Sequence, residues 1–372
     1  MGSAAAAWLA TNGHRVLAFD RYAPPHVLGS SHGRSRIYRQ SYWEDPRYVP
    51  LLLRARELWE RLERDSGRQL MHWTGGLMIS HRDGELVPRS AGSARQFGLP
   101  HELLSAKELQ RRWPHFRVGS DAVALFERDA GYLVPEVCVE QMLIRAARAG
   151  AQLHTDEPVL NWRSDGSGNV TVQTGRGTYA AEKLVITAGP WAPQALASMN
   201  LPLRVTRQAV FWFEPKDKLD LFRESSLPIY LFEAESGQPV VYGFPFTGPD
   251  SEGVKVAVHG SEELCTPETV HRTVRAGDEQ AIRNRLETTV PSLAGRLLHM
   301  QICLYTMTPD EHFIIGPHRD HPDVIVAAGF SGHGFKFAPV VGEILGELVT
   351  VGTSRHDIGL FSPGRFAAGR TA

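Results

Sequence analysis

Cys303 sits in Ile302-Cys303-Leu304-Tyr305-Thr306, and two further runs follow it closely. They are Pro309-Asp310-Glu311-His312-Phe313-Ile314-Ile315 and Gly329-Phe330-Ser331-Gly332-His333-Gly334-Phe335-Lys336-Phe337. A lone cysteine, a glycine-rich loop and an apolar-flanked lysine thus share one short stretch. These residue types suit the holding of a flavin and an anionic substrate. The loop joins an apolar strand pattern at 323–328 to a helical pattern at 339–351. A helix N-terminus at that junction stabilises negative charge, and a reduced flavin is an anion. The bland alternative is a plain tight turn. Close backbone approach is what glycine permits, and four Gly or Ser in this loop favour a functional reading.

A second cluster is His32-Gly33-Arg34-Ser35-Arg36-Ile37-Tyr38-Arg39. Three guanidinium groups suit a carboxylate, which arginine grips bidentately, although charge runs are usually solvated faces. The chain has 34 Arg and only 6 Lys. Lys255 and Lys336 are the two lysines set between apolar neighbours, where a compact ammonium is not interchangeable with arginine. On composition alone, both point to solvent from half-buried strands or loops.

Bulk properties narrow the classes. With 372 residues the chain has room for two domains. A formal net charge of -1 gives no electrostatic case for nucleic acid or an acidic membrane. No apolar run reaches the roughly 18 residues of a membrane span. Cys138, Cys265 and Cys303 are an odd, scattered set, so a reducing cytoplasm is the default. Metal-hydrolase and serine-esterase motifs are absent, and no metal site is expected.

The elements that must position these residues follow from periodicity. Residues 2–11 form an alanine-rich helix stopped by Asn12-Gly13, and 15–19 form a strand ending at Asp20. An acid there accepts hydrogen bonds from a ribose in a dinucleotide-binding unit. Residues 51–62 and 135–149 read as helices, and 73–80 as a strand with a bend at Gly75-Gly76. A hairpin is expected at 169–181 and a fully buried strand at 183–187, running into Ala188-Gly189. Sheet follows at 207–214 and 240–244. In 254–259, alternation puts Lys255, Ala257 and His259 on one face. A charged helix is expected over 269–289, and one buried stripe on the helix 339–351. The fold class is α/β: a discontinuous Rossmann-like nucleotide domain with an inserted β-rich domain.

In order along the chain, these motifs resemble the monomeric sarcosine oxidases, with their relatives the N-methyltryptophan and pipecolate oxidases. The resemblance rests on Ser31-His32-Gly33 with Arg36 and Arg39, on Tyr242-Gly243-Phe244-Pro245, on Lys255 to His259, and on the three runs from Ile302 to Phe337. It covers residues 1 to about 365. It implies an FAD-dependent oxidase of N-methyl or cyclic secondary amino acids that reduces dioxygen to hydrogen peroxide, working as a monomer. Residues 1–68, 129–200 and 301–372 would form the FAD-binding domain, and 69–128 with 201–300 the substrate domain. Cys303 would carry FAD covalently. Arg39 and Lys336 would bind the substrate carboxylate, with Tyr242 and Tyr305 lining the pocket. Lys255, Arg36 and His259 would be catalytic, Lys255 by stabilising charge that develops on dioxygen. Gly2, Asp20, His32, Ala188, Gly189, Gly332, His333 and Gly334 would contact the cofactor.

One departure stands out. The nucleotide unit should open with a strand and G-x-G-x-x-G, yet Met1-Gly2 already occupies the end of that fingerprint. The expectation is a true start roughly a dozen residues upstream, enough for a strand of ~5–6 residues. Two other readings stay open: a dehydrogenase that passes electrons to a carrier, and a flavin-free vestigial protein.

Overall fold

The computed structural model describes residues 1–234, 239–249, 252–273 and 275–366. The helix Gly2–Thr11 buries Ala4, Ala5, Ala6, Ala7 and Ala10. Small side chains let it lie tightly between the helices Pro135–Arg148 and Ala338–Val351. The approach is close enough that a Cβ on Gly342 would stand 2.7 Å from Ala4. Leu17–Phe19 then pairs in parallel with Gln152–His154, and Leu184–Ile186 pairs in parallel with Val324–Ala328. These short strands and the helices around them are the α/β part of the mixed fold.

The largest element is an eight-stranded sheet. Its order is Leu297–Met307, Arg204–Phe213, Val254–Val258, Val241–Gly243, Ile229–Glu233, Gly76–Ser80, Val123–Glu127, Glu102–Ser105. Every pairing is antiparallel except Ile229–Glu233 with Gly76–Ser80. Cross-strand partners share a face of a sheet. Gln208 lies opposite Cys303, Thr206 opposite Tyr305, Trp212 opposite Lys255, and Ala257 opposite both Val210 and Tyr242. One face therefore carries Cys303, Tyr305, Lys255 and Tyr242. The other carries Phe211, Phe213, Val254, Val256, Tyr230 and Phe232, packed with Ile282 and Leu286 of the helix Ala276–Thr289. Each such side chain contributes about 1.5–3 kcal/mol by leaving water, so the apolar face fixes the register that aligns the polar one.

A small sheet of Arg36–Tyr38, Gly131–Leu133 and Met71–His72 stands beside it. The expected bend at Gly75-Gly76 is a change of sheet: Met71–His72 belongs to the small sheet and Gly76–Ser80 to the large one.

Other expectations need correcting. The strand Leu184–Ile186 is only half-buried, because just Ile186 of its three residues is fully covered. The helix expected from 269 begins at Ala276, with Arg275 as its N-cap. Residue 274 lies outside the described residues, as do 367–372 at the end of the expected nucleotide domain. The helix Ala338–Val351 is buried on nearly every side rather than along one stripe, because helices and strands press on it from several directions. No helix among the described residues is long and apolar enough to cross a membrane.

Candidate active site

The turn before the strand Arg36–Tyr38 takes two successive left-handed residues, Gly33 at φ 95° and Arg34 at φ 66°. Glu136, in the first turn of the helix Pro135–Arg148, pins it: Oε1 accepts from Gly33 N at 2.7 Å and Arg34 N at 3.1 Å. The turn aims carbonyls inward. Lys255 Nζ donates to Gly33 O at 2.7 Å, Ser35 O at 2.9 Å and Ser35 Oγ at 3.2 Å. Its ammonium also lies 4.8 Å from the Phe244 ring centroid. Arg36 Nη2 donates to Ser30 O at 2.8 Å and approaches Cys303 Sγ at 3.5 Å.

These charges set the chemistry of Cys303. Burial pushes its thiol up, but Arg36, then His32 and Lys255, outweigh burial and hold it at about 6. The thiolate, the nucleophilic form, therefore prevails at neutral pH. Burial, then Arg36, pushes the Lys255 ammonium well below its usual value. Lys255 is 1% exposed and Lys336 5%. The solvent-facing reading of both lysines is thus overturned: apolar flanks here reflect true burial, with backbone carbonyls replacing water.

A second group assembles around Arg39, directly after the strand Arg36–Tyr38. Arg39 donates through Nη2 to both carboxylate oxygens of Glu44 at 2.6 Å and through Nη1 to Ser41 O at 3.0 Å. It lies 4.3 Å from the Tyr42 ring centroid. Lys336 Nζ donates to His333 O at 2.7 Å and sits 3.5 Å from Tyr42 Oη. Burial, reinforced by Arg39 and opposed by Glu44, brings Lys336 down to about 7. Glu44 stays ionised: burial works against it, but Arg39, His333 and Lys336 hold it at about 2. Burial brings His333 to about 3 and His259 to about 4, so both imidazoles are neutral. His333 Nδ1 is 2.6 Å from Tyr42 Oη, and its Nε2 is 3.0 Å from Glu311 O.

Tyr305 joins the two groups. Its ring lies 5.7 Å from that of His259, which lies 6.4 Å from Tyr242. On its other side it meets Gly332, at φ 80°, where a Cβ would overlap the ring. Gly334 packs in the same way against Phe330.

The remaining candidates sit at strand ends. Gly2 opens the first helix, and a Cβ there would come 2.7 Å from Thr187 Oγ1. Ala188 and Gly189 follow Thr187, with Gly189 at φ 54°. Asp20 ends the strand Leu17–Phe19, and its Oδ1 accepts from Tyr22 N at 2.9 Å. Glu268 spans both strand ends, accepting from Arg21 Nη1 at 3.3 Å and Trp191 Nε1 at 2.9 Å.

Against this geometry, comparison with known proteins is decisive. The DAO family, described as FAD dependent oxidoreductase, matches residues 1–348. The chain belongs to this family. It is 49% identical over 370 residues to monomeric sarcosine oxidase of Streptomyces avermitilis, covering 99% of this chain and 96% of that protein. It is 33% identical over 369 residues to N-methyl-L-tryptophan oxidase of Salmonella newport, again covering 99% and 96%. Its fold matches the amino acid oxidase NikD with a TM-score of 0.84 at 24% identity, covering 97% of this chain and 94% of that one. It matches L-proline dehydrogenase from P. horikoshii with a TM-score of 0.85 at 23% identity, covering 100% and 96%.

The residues of this FAD-dependent oxidoreductase fit the cofactor its family implies. A buried thiolate stands beside a guanidinium, and His32 Nε2 is buried with no hydrogen-bond partner among the described residues. An accessible carboxylate, Asp20, ends the second strand pattern of the nucleotide unit. Sequence reading missed Glu44, Tyr42, Gln301 and Glu136. A signal for Glu44 existed: arginines buried in the run 34–39 need a nearby acid, and Glu44 and Asp45 follow directly. Gln301, whose Oε1 is 3.4 Å from His32 Nδ1, shares the Cys303 face by strand alternation.

Proposed function

We propose that this chain is a sarcosine oxidase-like enzyme acting on an N-methyl or cyclic secondary amino acid. The substrate gives up two electrons and two protons from its C–H and N–H and becomes an imine. Dioxygen takes both and becomes hydrogen peroxide. FAD, when bound, supplies the acceptor for the first transfer and the donor for the second. Water then hydrolyses the imine, releasing formaldehyde where the group was N-methyl.

The observation that carries this reading is the convergence of two buried cations, Arg39 and Lys336, with neutral His259, next to the sheet face that bears Cys303 and Lys255. The cations anchor the substrate carboxylate and so aim its α-amino group. Their field, with no protonated imidazole to spare, favours the neutral amine that the oxidation needs. Tyr242 and Tyr305 line the pocket. Cys303 would hold FAD through a bond to its sulfur, Arg36 would supply positive charge beside it, and Lys255 would stabilise charge developing on dioxygen. His32, Gly332, His333 and Gly334 would hold the cofactor's ring end, and Gly2, Asp20, Ala188 and Gly189 its nucleotide end. Residues 1–68, 129–200 and 301–372 act as the FAD-binding domain, and 69–128 with 201–300 as the substrate domain. Among the described residues Cys138, Cys265 and Cys303 form no disulfide, which suits a reducing cytoplasm, and the enzyme works as a monomer.

The test is a visible spectrum before and after acid precipitation. Colour kept in the pellet supports a covalent bond to Cys303; colour released to the supernatant removes that role. Peroxide release with sarcosine, N-methyltryptophan and pipecolate then ranks the substrates, and no release with any of them defeats the oxidase reading.

A further inference from the structure

We propose that Glu136 is the positioning residue of Lys255, holding both the turn that grips the ammonium and the anionic charge that keeps it protonated. The inference rests on the reading of Lys255 given above. The chain of contacts is short. Glu136 Oε1 accepts from Gly33 N and Arg34 N, and the same turn returns Gly33 O and Ser35 O to Lys255 Nζ. Glu136 is the acceptor that holds the backbone amide of Arg34 at φ 66°, a conformation that side chains avoid, while the Arg34 side chain pairs with Glu252.

The charge argument is separate. Lys255 is faced by Arg36 from the small sheet, by Cys303 from the edge strand of the large one, two strands away, and by Glu136 from its helix; Phe244 and Trp212 supply only ring faces. Burial and Arg36 both drive the proton off, while Cys303 and Glu136 retain it. Once Cys303 is a neutral thioether, its anionic help is gone. Glu136 is then the carboxylate left to balance Arg36 at this ammonium. Its second oxygen, Oε2, is buried without a hydrogen-bond partner among the described residues, so its charge is little screened. No other step of the reading uses half-buried Glu136, which makes the placing of its oxygens beside the cation group informative.

The experiment separates shape from charge in the holoenzyme. Glu136→Gln keeps an oxygen for the two amides and loses the charge; Glu136→Ala loses both. Flavin reduction by substrate and reoxidation by dioxygen are followed separately across neutral to alkaline pH, with Lys255→Met alongside. The expected result is unchanged reduction and reoxidation about tenfold slower at the alkaline end for Glu136→Gln. The alkaline fall in reoxidation should also begin at lower pH. Glu136→Ala should be slow at every pH, and neither change should matter in a Lys255→Met background. Chemical denaturation gives a readout free of turnover. Lys255 holds its proton more weakly folded than unfolded, so stability rises with pH above its folded value. That rise should begin at lower pH in Glu136→Gln and be missing in Lys255→Met. A Glu136→Gln effect that persists in Lys255→Met, or that slows both half-reactions equally, overturns the inference. Normal reoxidation in Glu136→Gln with slow Lys255→Met overturns the inference alone. Normal reoxidation in Lys255→Met overturns the reading of Lys255, and the inference with it.

Discussion

Arg39 already holds a carboxylate: both oxygens of Glu44 lie 2.6 Å from its Nη2. A substrate carboxylate anchored by Arg39 and Lys336 must therefore share or displace this internal partner. Removing one member of a buried pair leaves the other uncompensated, at a cost of about 3–5 kcal/mol. Glu44→Gln should lower the thermal midpoint accordingly. Added acetate should then stabilise the variant more than the wild type, because it restores a counter-charge. Equal stabilisation of both proteins would mean that Arg39 does not take ligand carboxylates.

Lys336, held at about 7, gives the proposed carboxylate site a pH signature. Its folded value lies below the unfolded one, so between about 7 and the usual lysine value the unfolded chain binds more protons. Stability contributed through Lys336 therefore rises with pH over that window, and Lys336→Met should flatten the rise. Ligand binding runs the other way. Carboxylate affinity should fall as pH climbs past 7, with proton uptake on binding that calorimetry in buffers of different ionisation enthalpy would detect.

Arg36 is the largest influence holding the Cys303 thiol down against burial. Arg36→Met should raise that thiol and leave less thiolate at neutral pH. The fraction of flavin retained in an acid pellet should drop severalfold and recover when the protein is matured at higher pH. Retention unchanged across pH would show that thiolate supply does not limit attachment.

Gly332→Ala would put a methyl group into the Tyr305 ring at a backbone angle of φ 80°. Strain of this kind costs about 1–3 kcal/mol before any clash is counted. The variant should unfold at lower temperature and also lose substrate affinity, since Tyr305 must move. A stability loss with normal KM would separate the glycine from the pocket.

Periodicity located most of the framework, because alternation in 254–259 and alanine spacing in 2–11 report local geometry directly. Cys303, Lys255 and Lys336 stood out by residue type, although both lysines read as solvent-facing and are buried. Glu44 gave only a weak signal, since an acid next to arginines looks the same in sequence whether solvated or buried, and Glu136, among apolar neighbours at a helix start, gave no sign of the turn it holds. Lys255 failed for a related reason. Two backbone carbonyls and a serine hydroxyl, supplied by a turn more than two hundred residues away, hold it in its burial, and no local pattern records them. The late start of the helix Ala276–Thr289 is likewise a matter of the cap: Arg275, not Thr269, precedes its first turn.

The large sheet interleaves distant parts of the chain, with Gly76–Ser80 beside Ile229–Glu233 and Arg204–Phe213 beside Leu297–Met307. Lys255 and Cys303 share a sheet face through the strand Arg204–Phe213, while Arg36 comes from the small sheet and Lys336 from the turn before the last long helix. Synthesis delivers them one after another, and non-local sheets close slowly. The cation cluster would be born as scattered charges on an incomplete sheet, with Arg39 and Glu44 meeting early and Lys336 last. On the proposed roles, a nascent chain has no complete site, and nothing with which to hold the cofactor in full, before the segment around Lys336 has been made.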